Sequence, residues 1–272
     1  MVNRNSWIQR AGVGVAIAAA IVSASPLLQA QTDAEASRRG TIPVVEGERL
    51  PTGMRITPTA APGAQFQPLN PDLPTRPDYL ADHAVSTALS PDKRTLLVLT
   101  SGYNRNNGPT GSRIASESNE YVFVYDLTNG RPVKRQVLQM PNTFVGIAWN
   151  PSGKEFYVTG GVDDNVHIYA LSGSVWAESG TPIDLGHTAG LGLDVNAHAV
   201  GIAVNASGTR LLVANYENDS VSLVDPASRL ELAEFDLRPG RIDPAQTGVP
   251  GGEYPYWVTF HGDSIHGKTV GW

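Results

Sequence analysis

The sequence contains no cysteine, which removes disulfide scaffolds, thiol enzymes, iron–sulfur clusters and zinc-thiolate sites from consideration. Charge is sparse at 17% of residues, and its balance is acidic, with 20 Lys and Arg against 26 Asp and Glu. The basic residues are scattered singly, leaving no electrostatic footprint for a nucleic-acid backbone, so no nucleic-acid partner is expected. There is no G-x-S-x-G elbow for a serine nucleophile. Gly190-Leu191-Gly192 lacks the Lys-Ser or Lys-Thr that would make a phosphate-cradling loop. What the chain does have is Gly and Pro, 28 and 20 of them among 272 residues, with 41% hydrophobic residues to form a core. That mixture disfavours long helices and favours many short strands and turns. An all-β fold is expected.

Residues 1–30 read as a secretory signal. Arg4 and Arg10 form a positive start, Ala11 to Val22 an apolar stretch, and Ser23 to Ala30 a small-residue region around Pro26. Pro26 and Gln29 interrupt the run before it reaches the roughly 20 apolar residues a membrane span requires. Cleavage after Ala30 takes away two arginines and no acid, moving the formal charge from −6 to −8. A periplasmic or secreted product with no stable membrane span is expected. Residues 31–80 hold eight prolines, from Pro43 to Pro77. Proline fixes its own φ and biases the residue before it toward extended conformations, so this stretch is a linker or an extended arm.

The remainder, 81–272, is a repeat. At an offset of 55, residues 144–170 match 199–225 at 10 of 27 positions without a gap. Val85 to Asp92 repeats the pattern of Val145 to Ser152, and Trp257 to Phe260 that of Gly201 to Val204. Each copy reads as an apolar strand (Val85 to Leu89, Val145 to Trp149, Val200 to Val204) and a Ser/Asn/Pro/Gly turn. A second strand, an alternating third and a more polar fourth follow. This is the grammar of a β-propeller blade, with burial expected to fade from first strand to fourth. Three blades and half of a fourth are expected, the last completed by Lys268 to Trp272.

Tyr157-Val158-Thr159-Gly160-Gly161, with Asp164 to Tyr169, resembles the YVTN-type repeat of bacterial exported β-propellers described as YncE-like, as does Val213 to Asn215 with Asp219 to Asp225. The Leu50 to Pro58 arm and Ser118 to Asp126 resemble a subgroup in which a propeller precedes an alkaline-phosphatase-like phosphoesterase domain. The resemblance implies a closed propeller of about seven blades, so a truncated form, a fragment of a larger protein, is expected. No phosphoesterase residues are carried over.

The first blade carries 16 extra residues between its second and third strands, around Tyr103 to Gly108. Such loops sit on one face of a propeller, where binding occurs; the alternative is a disordered surface excursion. The candidate ligand face consists of Tyr103, Arg105, Arg113, Gly160, Asp163, Tyr216 and Asn218, with the two arginines able to pair with an anion. The six histidines show no metal-ligand spacing, His187 and His198 being the best pair. Asp163-Asp164 could coordinate Ca²⁺, but Glu217-Asn218-Asp219 repeats the same acidic turn, so turn formation explains both. No catalytic residue, metal or cofactor is assigned. The expectation is a binding or scaffolding module for an unknown small molecule or protein, with self-association through the open propeller edge. The alternative is the amino-terminal part of a propeller-containing hydrolase, phosphoesterase or lactonase-like.

Overall fold

The computed structural model describes residues 67–102, 104–187, 197–237 and 254–262. The signal region, most of the Pro-rich segment, Tyr103, Gly190 to Gly192 and Lys268 to Trp272 lie outside them. All described residues belong to one compact unit, Gln67–Trp272.

The chain builds three consecutive antiparallel sheets, each a simple meander. Blade 1 comprises β1 (Ala84–Leu89), β2 (Thr95–Thr100), β3 (Glu120–Asp126) and β4 (Val133–Met140). Blade 2 comprises β5 (Ile147–Trp149), β6 (Glu155–Thr159), β7 (Asn165–Ser172) and β8 (Val175–Glu178), and a short β9 (Ile183–Asp184) also pairs with β7. Blade 3 comprises β10 (Ala199–Val204), β11 (Leu211–Asn215), β12 (Ser220–Asp225) and β13 (Leu230–Asp236). Among the described residues there are no α-helices, and no helix is long and apolar enough to cross a membrane.

The first-to-second-strand turn is the same in all three copies. Ser90, Asn150 and Asn205 each accept a backbone bond from the residue three on, at 2.8, 2.9 and 2.9 Å. That third residue is left-handed every time: Lys93 (φ 61°), Gly153 (φ 69°) and Gly208 (φ 73°). Glycine adopts this conformation without strain and Lys93 does not.

The blades stack face to face. Leu97, Leu99, Val122 and Val124 of blade 1 pack on Phe156, Val158 and Tyr169 of blade 2. Tyr157, Val166 and Ile168 on blade 2's other face pack on Leu211, Val213 and Val224 of blade 3. Alternation along each strand sends successive residues to opposite blade faces, so one strand serves two interfaces.

First strands converge along one line, as the innermost strands of a propeller do. A Cβ on Gly146 would lie 2.1 Å from the Val200 carbonyl, and one on Gly201 2.5 Å from the Tyr256 carbonyl. Residues 254–260 therefore take the first-strand position of a fourth blade, though they form no regular strand among the described residues. An all-β array of propeller blades is thus confirmed. The expected gradient of burial is not. Burial peaks in β3, β6 and β11, which have a paired strand on either side, while β1 is largely exposed. Among the described residues no blade stands in front of blade 1, so its first strand is covered by a following blade on one side alone.

Candidate functional site

The meander topology sorts the loops onto two faces. The upper face collects the second-to-third and fourth-to-first connections, and the lower face collects the remaining turns.

On the upper face, Phe144, Tyr216, Tyr254 and Tyr256 form one aromatic group. The Phe144 and Tyr216 rings stack with centroids 6.3 Å apart, and Tyr254 lies 5.3 Å from Tyr216. Tyr256 stands edge-on to both Phe144 and Tyr216, at 5.9 and 6.3 Å. Beneath them lie Val145, Val200 and Ala214. Asp219 Oδ1 accepts the Tyr254 backbone N–H at 2.9 Å and so fixes the third component of the group. Tyr254 and Tyr256 remain 47% and 48% exposed, as does Trp257 beside them at 57%. These aromatics are not required by the blade: the repeat puts Ala199 where Phe144 stands, Gly161 where Tyr216 stands and Val200 where Tyr256 stands. Departures from a repeat that the fold does not demand mark function.

The residues expected on this face divide into groups. Tyr216 joins the aromatic group. Asp163 accepts from Asn142 Nδ2 at 2.9 Å. Gly160 has a backbone role, since a Cβ there would sit 2.0 Å from Asn165 Oδ1. Asn218 is fully buried, and neither atom of its side-chain amide has a partner, so it presents nothing to a ligand at the surface. Arg105 donates to Asn107 Oδ1 at 3.1 Å and Arg113 to the Ser118 carbonyl at 2.9 Å, both within the insertion. Tyr103 lies outside the described residues.

His187 and His198 are not brought together. His198 Nδ1 faces Glu217 at 3.2 Å, partly exposed. His187 is buried between blades 2 and 3, with Nδ1 at 2.7 Å from Asp164 Oδ1 and Nε2 at 3.2 Å from Glu234 Oε1. Its backbone N–H also donates to Asp164 Oδ2 at 2.8 Å. Burial works against the charged ring, but the hydrogen bonds and charges of the two carboxylates prevail and raise its pKa to about 10. The Asn215 amide lies between that ring, 3.2 Å away, and the buried Ser220 and Ser222 hydroxyls. In blade 1, Glu120 is buried and its carboxyl pushed up by that burial, while Thr100 and Asn104 donate to it at 3.0 and 2.8 Å. Each of these groups spans two elements and fastens them. Among the described residues no set of three or more His, Asp or Glu is arranged to hold a metal. Asp164 is left-handed, φ 51°, as is its counterpart Asp219 at 53°, which is the repeated turn.

Two clefts lie on the lower side, at successive blade junctions. One, of about 410 Å³, is lined by Glu155, Arg210, Asp225 and Arg229. The other, of about 400 Å³, is lined by Asp126, Arg135 and Trp176. Each holds one Arg–Asp pair, Arg210 with Asp225 at 3.4 Å and Arg135 with Asp126 at 2.8 Å. Both clefts lie where one blade packs on the next.

No protein-family model matches the chain, and no curated protein matches it. Solved structures do. The periplasmic gluconolactonase PpgL of Pseudomonas aeruginosa is 19% identical, with 58% of each chain covered and a TM-score of 0.38. The Cps50 (Swd1) β-propeller domain of Myceliophteria thermophila is 15% identical over 56% of this chain and 41% of that one, with a TM-score of 0.39. A protein from Lactobacillus plantarum is 11% identical over 58% and 42%, with a TM-score of 0.43. The chain thus spans about two fifths to three fifths of the length of these structures.

Proposed function

We propose that this chain is an exported propeller module that binds a protein partner with its upper face and carries no catalytic apparatus of its own. The observation that carries this reading is the group of Phe144, Tyr216, Tyr254 and Tyr256, three of which, Phe144, Tyr216 and Tyr256, stand where the repeat is content with Ala, Gly and Val. Small molecules favour concave sites, whereas exposed aromatic rings suit the core of a protein interface. The two described clefts lie elsewhere, at the blade seams. The buried histidine and carboxylates are engaged in fastening blades, which supports a binding role over an acid–base one. The amino-terminal signal pattern supports export.

A photo-crosslinking residue placed at Tyr256 in the exported protein should capture a discrete partner, and Tyr216→Ala should abolish capture. Capture from Val175 at the lower cleft instead, or from neither position, refutes the assignment. Turnover of a lactone or phosphate ester by the purified chain would move it to the hydrolases. Export is checked separately, by finding mature protein that begins at Gln31 in the periplasmic or secreted fraction.

A further inference from the structure

Blades 2 and 3 each have their forward face covered by the preceding blade. Among the described residues no blade precedes blade 1, yet Tyr121, Phe123 and Tyr125 on its forward face are buried. They are covered by Leu69, Tyr79 and Ala81, from the end of the Pro-rich segment. That segment doubles back on itself, with the Ala81 N–H donating to the Leu69 carbonyl at 2.8 Å.

Polar contacts fasten it along its rim. At the outer strand, Lys134 Nζ bonds the Asn70 carbonyl and the Asp72 carboxylate, all at 2.8 Å, and Gln67 donates to the Pro132 carbonyl at 2.6 Å. At the opposite end it meets the insertion. Arg76 pairs with Glu117 at 2.6 Å and donates to the Asn107 carbonyl at 2.9 Å, and Thr75 also bonds Glu117. Asn104 Oδ1 accepts from Tyr79 Oη at 3.0 Å and from the Asp82 N–H at 2.8 Å. Asn104 and Asn106 are themselves buried and tied to Glu120, Glu117 and Ser118. At the centre, Tyr121 Oη is buried without a partner, so the segment is held by its rim.

We propose that residues 67–82 form a displaceable strap that occupies on blade 1 the seat a neighbouring blade occupies on blades 2 and 3, and that the insertion in blade 1 serves to fasten it. The insertion is then neither a ligand loop nor a disordered excursion but the receiving half of an intramolecular clamp. The strap keeps an aromatic sheet face out of water, and any blade that closes a ring onto blade 1 has to displace it.

The absence of native cysteine gives a direct test. A single thiol is introduced by Val98→Cys, under the strap, or by Val158→Cys, between blades 1 and 2, and its alkylation by iodoacetamide is timed in the full chain. Both thiols should react slowly. Adding Arg76→Ala and Tyr79→Ala should speed the thiol at position 98 at least tenfold and leave that at 158 unchanged. A thiol at 98 that reacts as if exposed in the parent, or at a rate indifferent to the two substitutions, overturns the strap. Protection at 98 that rises with protein concentration assigns the seat to a second copy and also overturns it. Should the double substitution unfold the chain, making both thiols fast, Tyr79→Phe removes only the hydroxyl. It should then speed position 98 about twofold to threefold, and an unchanged rate refutes the proposal.

Discussion

His187 Nδ1 sits 2.7 Å from Asp164 Oδ1 and its Nε2 3.2 Å from Glu234 Oε1, so one buried ring ties the β6–β7 turn to the outer strand of the next blade. Its folded pKa of about 10 lies above the ordinary 6.5. A raised value means that its contribution to stability is complete below about pH 6.5 and lost as pH climbs through about 10. Glu234 is displaced the other way: burial opposes its charge, but bonds from His187 and Ser220 hold it below 4.5, so its contribution is lost on acidification. Urea unfolding between pH 6.5 and 9 should show stability falling by about 1 kcal/mol per pH unit. His187→Gln should flatten that slope and, by leaving two carboxylates unpaired, cost about 3–5 kcal/mol at pH 6.5. A slope unchanged by the substitution refutes the assignment.

Gly146→Ala should be among the most damaging single-methyl additions in the chain. The new Cβ would meet the Val200 carbonyl at 2.1 Å and Thr159 Oγ1 at 2.4 Å, and Thr159 itself donates to that carbonyl at 2.7 Å. Neither the backbone nor a bonded hydroxyl yields easily, so we expect a loss of about 3 kcal/mol or more. Gly130→Ala is the control for φ alone, since a Cβ there meets nothing within 4 Å at φ 73°. Thermal unfolding compares the two.

Lys93→Gly should stabilise the protein. Lys93 takes the left-handed turn position that its counterparts fill with Gly153 and Gly208. Relief of the Cβ clash, less the added entropy of the unfolded chain, gives about 0.5–1 kcal/mol in denaturant unfolding. No gain would mean that Lys93 makes compensating contacts.

Tyr216→Ala should loosen residues 254–262 while Tyr216→Phe should not, because Tyr216 is the ring that touches Phe144, Tyr254 and Tyr256 alike. Ring pairs of this kind are worth about 0.5–1.5 kcal/mol each beyond their buried area. Limited proteolysis followed by mass spectrometry reads the effect. Cleavage near Tyr254 that is equal in both variants would show that the Asp219 bond, rather than the rings, holds the segment.

The blades were legible in the sequence because their information is local. Strand alternation and the Ser/Asn-to-Gly turn recur at a fixed period, and β1, β5 and β10 fall on the first-strand spans Val85 to Leu89, Val145 to Trp149 and Val200 to Val204. The left-handed acidic turn at Asp164 and Asp219 could likewise be read from its repetition. Tyr216 was selected as an upper-face residue, but its companions Phe144, Tyr254 and Tyr256 were not. For Phe144 and Tyr256 the signal was present, in bulky rings where the neighbouring copy carries Ala199 and Val200.

Pairings between distant loops had no such local signature. The His187–Asp164–Glu234 group joins positions 23 and 47 residues from the histidine, and which polar side chains meet depends on how one sheet packs on the next. The same holds for the strap. Composition disfavours a helix in the Pro-rich residues 67–80, and the repeat spacing shows that the first blade carries extra polar chain. Only the tertiary structure decided that Arg76 and Tyr79 of the one fasten onto Glu117 and Asn104 of the other. Among the described residues blade 1 has no blade on the face that a neighbour buries in blades 2 and 3, and burial of Tyr121, Phe123 and Tyr125 favours an apolar segment, Leu69, Tyr79 and Ala81, over it.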